Sequence, residues 1–141
     1  MIMKTLQLVF VFVVLSGLLS CRTQADNEEL NDNGQGTPII EFSELEHDFG
    51  TILEGEKVAC VFTFSNRGDG SLVINSATTS CGCTVPEFDS DPIAPGENGE
   101  IEVLFDSAYR QGIQNKTITI RSNAEKPVVI LKIKAEVITN N

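Results

Sequence analysis

Ser80-Cys81-Gly82-Cys83-Thr84 sets two thiols one residue apart, in a chain of 141 residues with four cysteines in all. Three chemistries use that spacing. Two thiolates can give two ligands to a soft metal such as Cu(I) or Zn(II). They can also cycle between dithiol and disulfide, or one of them can enter a structural bridge. No other constellation competes. His47 is the single histidine, and no carboxylate at catalytic spacing partners it for proton transfer. Glu87, Asp89 and Asp91 sit beside Pro92 without the spaced carboxylates of a calcium loop, which describes a solvated acidic loop. The sequence therefore points to no enzyme.

Two further cysteines set the thiol count. Cys21 follows a short n-region carrying Lys4, an apolar run from Leu6 to Leu19, and Leu18-Leu19-Ser20. An aliphatic residue three before a cysteine, and a small one just before it, is the form processed by lipoprotein signal peptidase. Residues 1–20 read as a lipoprotein signal peptide, and Cys21 as the site of lipidation. The apolar run is nearer 14 residues than the roughly 20 that span a bilayer. With Cys21 lipidated, Cys60, Cys81 and Cys83 remain, and one thiol must stay unpaired. The domain is expected in the cell envelope, lipid-anchored at the outer membrane and facing the periplasm or the cell surface. Such a compartment permits disulfides.

Composition limits the partners. The formal charge is −10, which repels phosphate backbones and anionic headgroups and excludes nucleic acid. Membrane attachment therefore falls to the lipid. Residues 21–37, with one large apolar side chain among polar and turn-forming ones, cannot offset the entropy of ordering and read as a linker. Residues 38–141 suffice for one domain with a modest core.

That domain reads as β throughout. In Glu56 to Asn66, Val58, Cys60, Phe62 and Phe64 fall on one face at period two, with Lys57, Ala59 and Thr63 on the other. A glycine-rich turn at 66–70 leads to a strand over Leu72–Thr79, which delivers the chain to Cys81. Pro86 and the stretch 89–97 break regular structure. Strands resume over Gly99–Phe105, Gln114–Ser122 and Val128–Val137, and an earlier one covers Ile39–Phe42. Phe42, Phe49, Phe62, Phe64 and Phe105 read as core. About seven short antiparallel strands with no helical period predict an all-β, immunoglobulin-like sandwich.

This arrangement leaves the cysteines three options. The strands before and after the 66–70 turn share an end, which sets Cys60 near the Cys-Gly-Cys block. Cys60 can then bridge to Cys81 or Cys83, adding roughly 3 kcal/mol through a loop of about twenty residues. Alternatively Cys81 and Cys83 join each other. On an extended strand their Cα atoms lie ~6.6 Å apart, so Gly82 has to kink the chain. Third, both thiols bind Cu or Zn, with Cys60 or His47 as a further ligand. Asn115-Lys116-Thr117 reads as a strand start rather than a glycosylation site, whereas Asp106-Ser107-Ala108 has the form of the tripeptide that Bacteroidetes O-glycosylate, making Ser107 a candidate acceptor.

The order of motifs resembles one family. His47-Asp48-Phe49-Gly50-Thr51-Ile52, Glu54-Gly55-Glu56, Phe62 to Gly68, Leu72-Val73-Ile74, Ser80-Cys81-Gly82-Cys83-Thr84-Val85-Pro86, Ile93 to Gly96 and Asn115 to Ile118 run as in the domain of unknown function 1573 family. The resemblance covers residues 39–138. Its most specific part is the block with Ser80, Gly82, Thr84 and Pro86. It implies a sandwich related to ASPM, SPD-2 and hydin-type modules, found in secreted and lipid-anchored proteins of Bacteroidetes, with binding or scaffolding roles and no established activity. An envelope lipoprotein that binds an unknown protein partner is the expectation; a thiol redox or soft-metal protein is the alternative.

Overall fold

Side chains alternate between buried and exposed along most of the chain from Ile40 to Ile138, which is why it forms strands. The computed structural model describes residues 36–139. The signal peptide, Cys21 and all but the last two residues of the linker lie outside them. Eight strands are present: β1 (Ile40–Phe42), β2 (Glu46–Leu53), β3 (Lys57–Asn66), β4 (Ile74–Thr79), β5 (Thr84–Phe88), β6 (Asn98–Asp106), β7 (Gly112–Ser122) and β8 (Val128–Ile138). Among the described residues there is no helix long and apolar enough to cross a membrane.

The strands form two four-stranded sheets, ordered β1-β3-β6-β5 and β2-β8-β7-β4. Their inner faces supply one core. Phe62, Ile101, Val103 and Phe105 come from the first sheet, and Ile118, Ile120, Leu131 and Ile133 from the second. Burying a side chain of this size contributes about 1.5–3 kcal/mol. Of the five phenylalanines expected in the core, Phe62, Phe64 and Phe105 are buried, while Phe42 and Phe49 pack half-buried against it.

The sandwich is immunoglobulin-like, with two departures from the sequence expectation. First, β2 forms across a segment that includes Glu46, Asp48 and Gly50, and it runs parallel to β8. Its register slips between Asp48 and Thr51, where Gly50 takes a left-handed φ of 68° and its N–H binds the Asp48 carboxylate. Second, β5 contains Pro86, which tolerates a strand here because β5 is the edge of its sheet. The 66–70 turn carries the chain from β3 in one sheet to β4 in the other, an arrangement in which the two strands still share an end. The expected sandwich of about seven antiparallel strands is present as eight strands, of which one pair, β2 and β8, runs parallel.

Candidate functional site

β4 and β5 each form an edge, one in each sheet, and residues 80–83 cross between them. Backbone bonds hold both sides of the crossing. The Ser80 N–H donates to the Thr117 carbonyl at 3.1 Å, and the Asp106 N–H to the Cys83 carbonyl at 2.9 Å. The Thr117 N–H returns a bond to Ser80 Oγ at 3.2 Å. From inside the turn, Thr79 Oγ1 lies 2.7 Å from the Cys81 carbonyl oxygen and 3.1 Å from that of Thr84.

Within this frame Cys81 and Cys83 are joined as a disulfide, with Cα atoms 5.3 Å apart. The contraction from an extended ~6.6 Å is made by a turn at Gly82. Gly82 is exposed, its φ lies outside the left-handed region, and no atom lies within 4 Å of where a Cβ would sit. The two sulfurs differ in access: Cys83 is buried at 9 % exposure, whereas Cys81 is half-buried. Thr84 Oγ1 lies 3.6 Å from Cys81 Sγ and 3.9 Å from Cys83 Sγ. With both sulfurs bonded, only the hydroxyl can donate. A bridge spanning one intervening residue removes little unfolded-chain entropy, about 1.5 kcal/mol by loop length.

Cys60 takes no part in that bridge. It is a free thiol on the inner face of β3, at 7 % exposure. β6 lies between β3 and β5, since Val103 pairs with Cys60 on one side and Pro86 on the other. Two strand spacings, roughly 9–10 Å, separate the strands. Burial, and secondarily the Glu44 carboxylate, pushes the Cys60 thiol up to about 11. The bridge from Cys60 to the block is thus replaced by one inside the block. The same bond occupies both thiolates that a Cu or Zn site at Cys81 and Cys83 requires. Among the described residues, no group of three His, Cys, Asp or Glu side chains is placed to hold an ion.

The remaining sequence candidates separate. His47, half-buried on β2 at the opposite edge of its sheet from β4, contacts Glu44 at 3.6 Å and the Phe49 ring edge-on. Asn115 lies inside β7, paired with Lys134. Ser107 is fully buried, and its hydroxyl lies 2.9 Å from the Leu53 carbonyl oxygen and 2.8 Å from that of Glu56. A folded domain presents no acceptor oxygen there, which corrects the glycosylation expectation. Glu87, Asp89 and Asp91 line an open groove of about 660 Å³ with Glu97, Glu100 and Glu102.

Two features escaped the sequence reading. Asn66 is fully buried, and both ends of its amide are bonded: Nδ2 donates to the carbonyls of Gly70 and Ile93, and Oδ1 accepts from the N–H groups of Gly68 and Ile39. An asparagine at a strand end before glycines gave only a turn signal. The second is the outer face of the first sheet. There Ala59, Leu104 and Val85 stand in one row across β3, β6 and β5, and the next row is Val61, Glu102 and Glu87. Val61, Val85 and Leu104 are exposed. The sequence signal was available in β3, where apolar Ala59 and Val61 occupy the face opposite Cys60 and Phe62.

Comparison with known proteins agrees with this geometry. A Porphyromonas gingivalis W83 protein of unknown function superposes with a TM-score of 0.63 at 25% identity, over 71% of this chain and 47% of that one. The chain thus spans about half the length of that relative. The ASH/PapD-like domain 7 of human CEP192 superposes at 0.60 with 10% identity, over 72% of this chain and 87% of the domain. The secreted serine protease VesC of Vibrio cholerae matches at 0.54 and 13% identity, over 79% of this chain but only 25% of the protease. These last two likenesses show the fold alone. No curated protein matches the sequence. Residues 40–137 match the model described as protein of unknown function (DUF1573), and the chain belongs to that family.

Proposed function

We propose that the domain is a non-enzymatic protein-binding module of the cell envelope, held at the outer membrane by lipid on Cys21 and reaching its partner across the linker of residues 21–37. One observation carries the binding reading. The outer face of the first sheet exposes Val61, Val85 and Leu104 beside Glu87 and Glu102, which stand directly opposite each other across β5 and β6. Like charges in that position oppose each other and weaken the sheet. A cationic partner relieves that repulsion, and apolar side chains from the same partner cover the neighbouring row. The occupant that fits is a protein segment bearing both apolar and basic side chains.

The test places a photo-crosslinking residue at Leu104 in living cells, with exposed Lys132 on the other sheet as control. A discrete adduct is expected from Leu104 and not from Lys132, and Glu87→Lys with Glu102→Lys should abolish it. An adduct only at Lys132, or one at Leu104 indifferent to the charge reversal, removes this surface from consideration. Anchoring is checked separately: a fatty-acid analogue should label the protein, and Cys21→Ala should lose the label and release the chain from membranes.

A further inference from the structure

We propose that Cys81–Cys83 is an exchangeable disulfide that takes two electrons from a protein dithiol, with Cys81 as the sulfur attacked. The inference is independent of the partner surface on the first sheet.

Three observations carry it. The first is access. Cys81 is half-buried and Cys83 nearly closed off, and the exposed Gly82 between them has open space where a side chain would stand. An incoming thiolate therefore meets Cys81 first, and exchange depends on which sulfur is reachable. The second is persistence of the turn. The Ser80, Cys83 and Thr79 hydrogen bonds hold the crossing without using either sulfur. After reduction the two thiols stay close, which keeps re-closure fast. The third is Thr84, whose hydroxyl lies within hydrogen-bond reach of both sulfurs. It can donate to whichever one carries charge.

The exchange balances in two steps. A partner thiolate attacks Cys81 Sγ, the bond between the two sulfurs breaks, and Cys83 leaves as a thiolate that takes a proton from solvent. The partner's second thiolate then attacks its own sulfur in the mixed disulfide and expels Cys81, which is protonated in turn. The domain gains two electrons and two protons, and the partner dithiol becomes a disulfide. Cys60, buried and apart, takes no role and serves as an internal marker of unfolding.

The experiment uses the full chain, with dithiothreitol as the reducing probe and oxidised glutathione as the oxidising one. Dithiothreitol should reduce the bridge in folded protein, so that alkylation and peptide mapping find label on Cys81 and Cys83 and none on Cys60. Within the reduced protein Cys81 should alkylate about tenfold faster than Cys83, as its greater access requires. Oxidised glutathione should form an adduct at Cys81 in Cys83→Ser faster than at Cys83 in Cys81→Ser. Label on Cys60 together with the pair means reduction needs unfolding and overturns the proposal. So does an equal or reversed order of reactivity, read from the wild-type protein should either variant fail to fold.

Discussion

Asn66 and the Cys81–Cys83 turn both sit where the chain passes from one sheet to the other, yet they are built in opposite ways. Asn66 is fully buried and binds groups from three segments: the approach to β1, the 66–70 turn and the loop before β6. Its own N–H and carbonyl continue the same contacts, to Glu97 and from Gly96. The fold at that end depends on the side chain. At the cysteine turn the dependence runs the other way, since backbone and Thr79 bonds fix the crossing while the sulfurs bond to each other and meet only the Thr84 hydroxyl. A crossing held by a buried amide cannot be opened without loss of structure. One held around a disulfide can.

The sharpest test of that contrast is Asn66→Ala. It strands the buried Gly70 carbonyl, takes the Oδ1 acceptor from the Gly68 and Ile39 N–H groups and leaves a cavity, while the Ile93 carbonyl keeps its bond from the Leu72 N–H, so about 3 kcal/mol of stability should go. The urea midpoint should fall with the slope unchanged. A loss near zero would mean that water replaces the amide, and the contrast would collapse.

Ser107 tests the same idea at the end of the domain that holds the cysteine turn, since the neighbouring Asp106 N–H binds the Cys83 carbonyl. Ser107→Ala removes the hydroxyl from the Leu53 and Glu56 carbonyls, but the Ser107 N–H still reaches Glu56 at 3.0 Å. The expected loss is smaller, about 1–2 kcal/mol, measured by the same denaturation. If it matched Asn66→Ala, burial alone rather than the number of segments joined would set the cost.

How much of this could be read in the sequence follows from which interactions are local. The strands β3, β6, β7 and β8 alternate cleanly because each is covered on one face, and their pattern was legible. β2 and β5 were not, because edge strands carry Asp48, Gly50, Glu87 and Pro86 where inner strands carry apolar residues. The cysteine block was visible as a site, but its pairing was not. Spacing alone allowed Cys60 as a partner, and only the insertion of β6 between β3 and β5 separates them. Ser107 shows the same limit: its tripeptide is local, and its burial depends on Leu53 and Glu56, more than fifty residues away.

A second modest effect is expected where the comparison is most exposed to failure. Replacing Cys81 and Cys83 together by alanine removes a bridge around one residue, and the loop-length argument assigns it only about 1.5 kcal/mol. The Thr79, Ser80 and Asp106 bonds remain available to hold the crossing. Thermal denaturation of the double variant should therefore remain a single transition, with its midpoint lowered by less than in Asn66→Ala. Reduction of the wild type should lower it by a similar amount, because both treatments remove the same bond. If instead the double variant unfolds while Asn66→Ala stays folded, the bridge is the structural member of the pair. The turn would then be a staple, with no freedom to exchange.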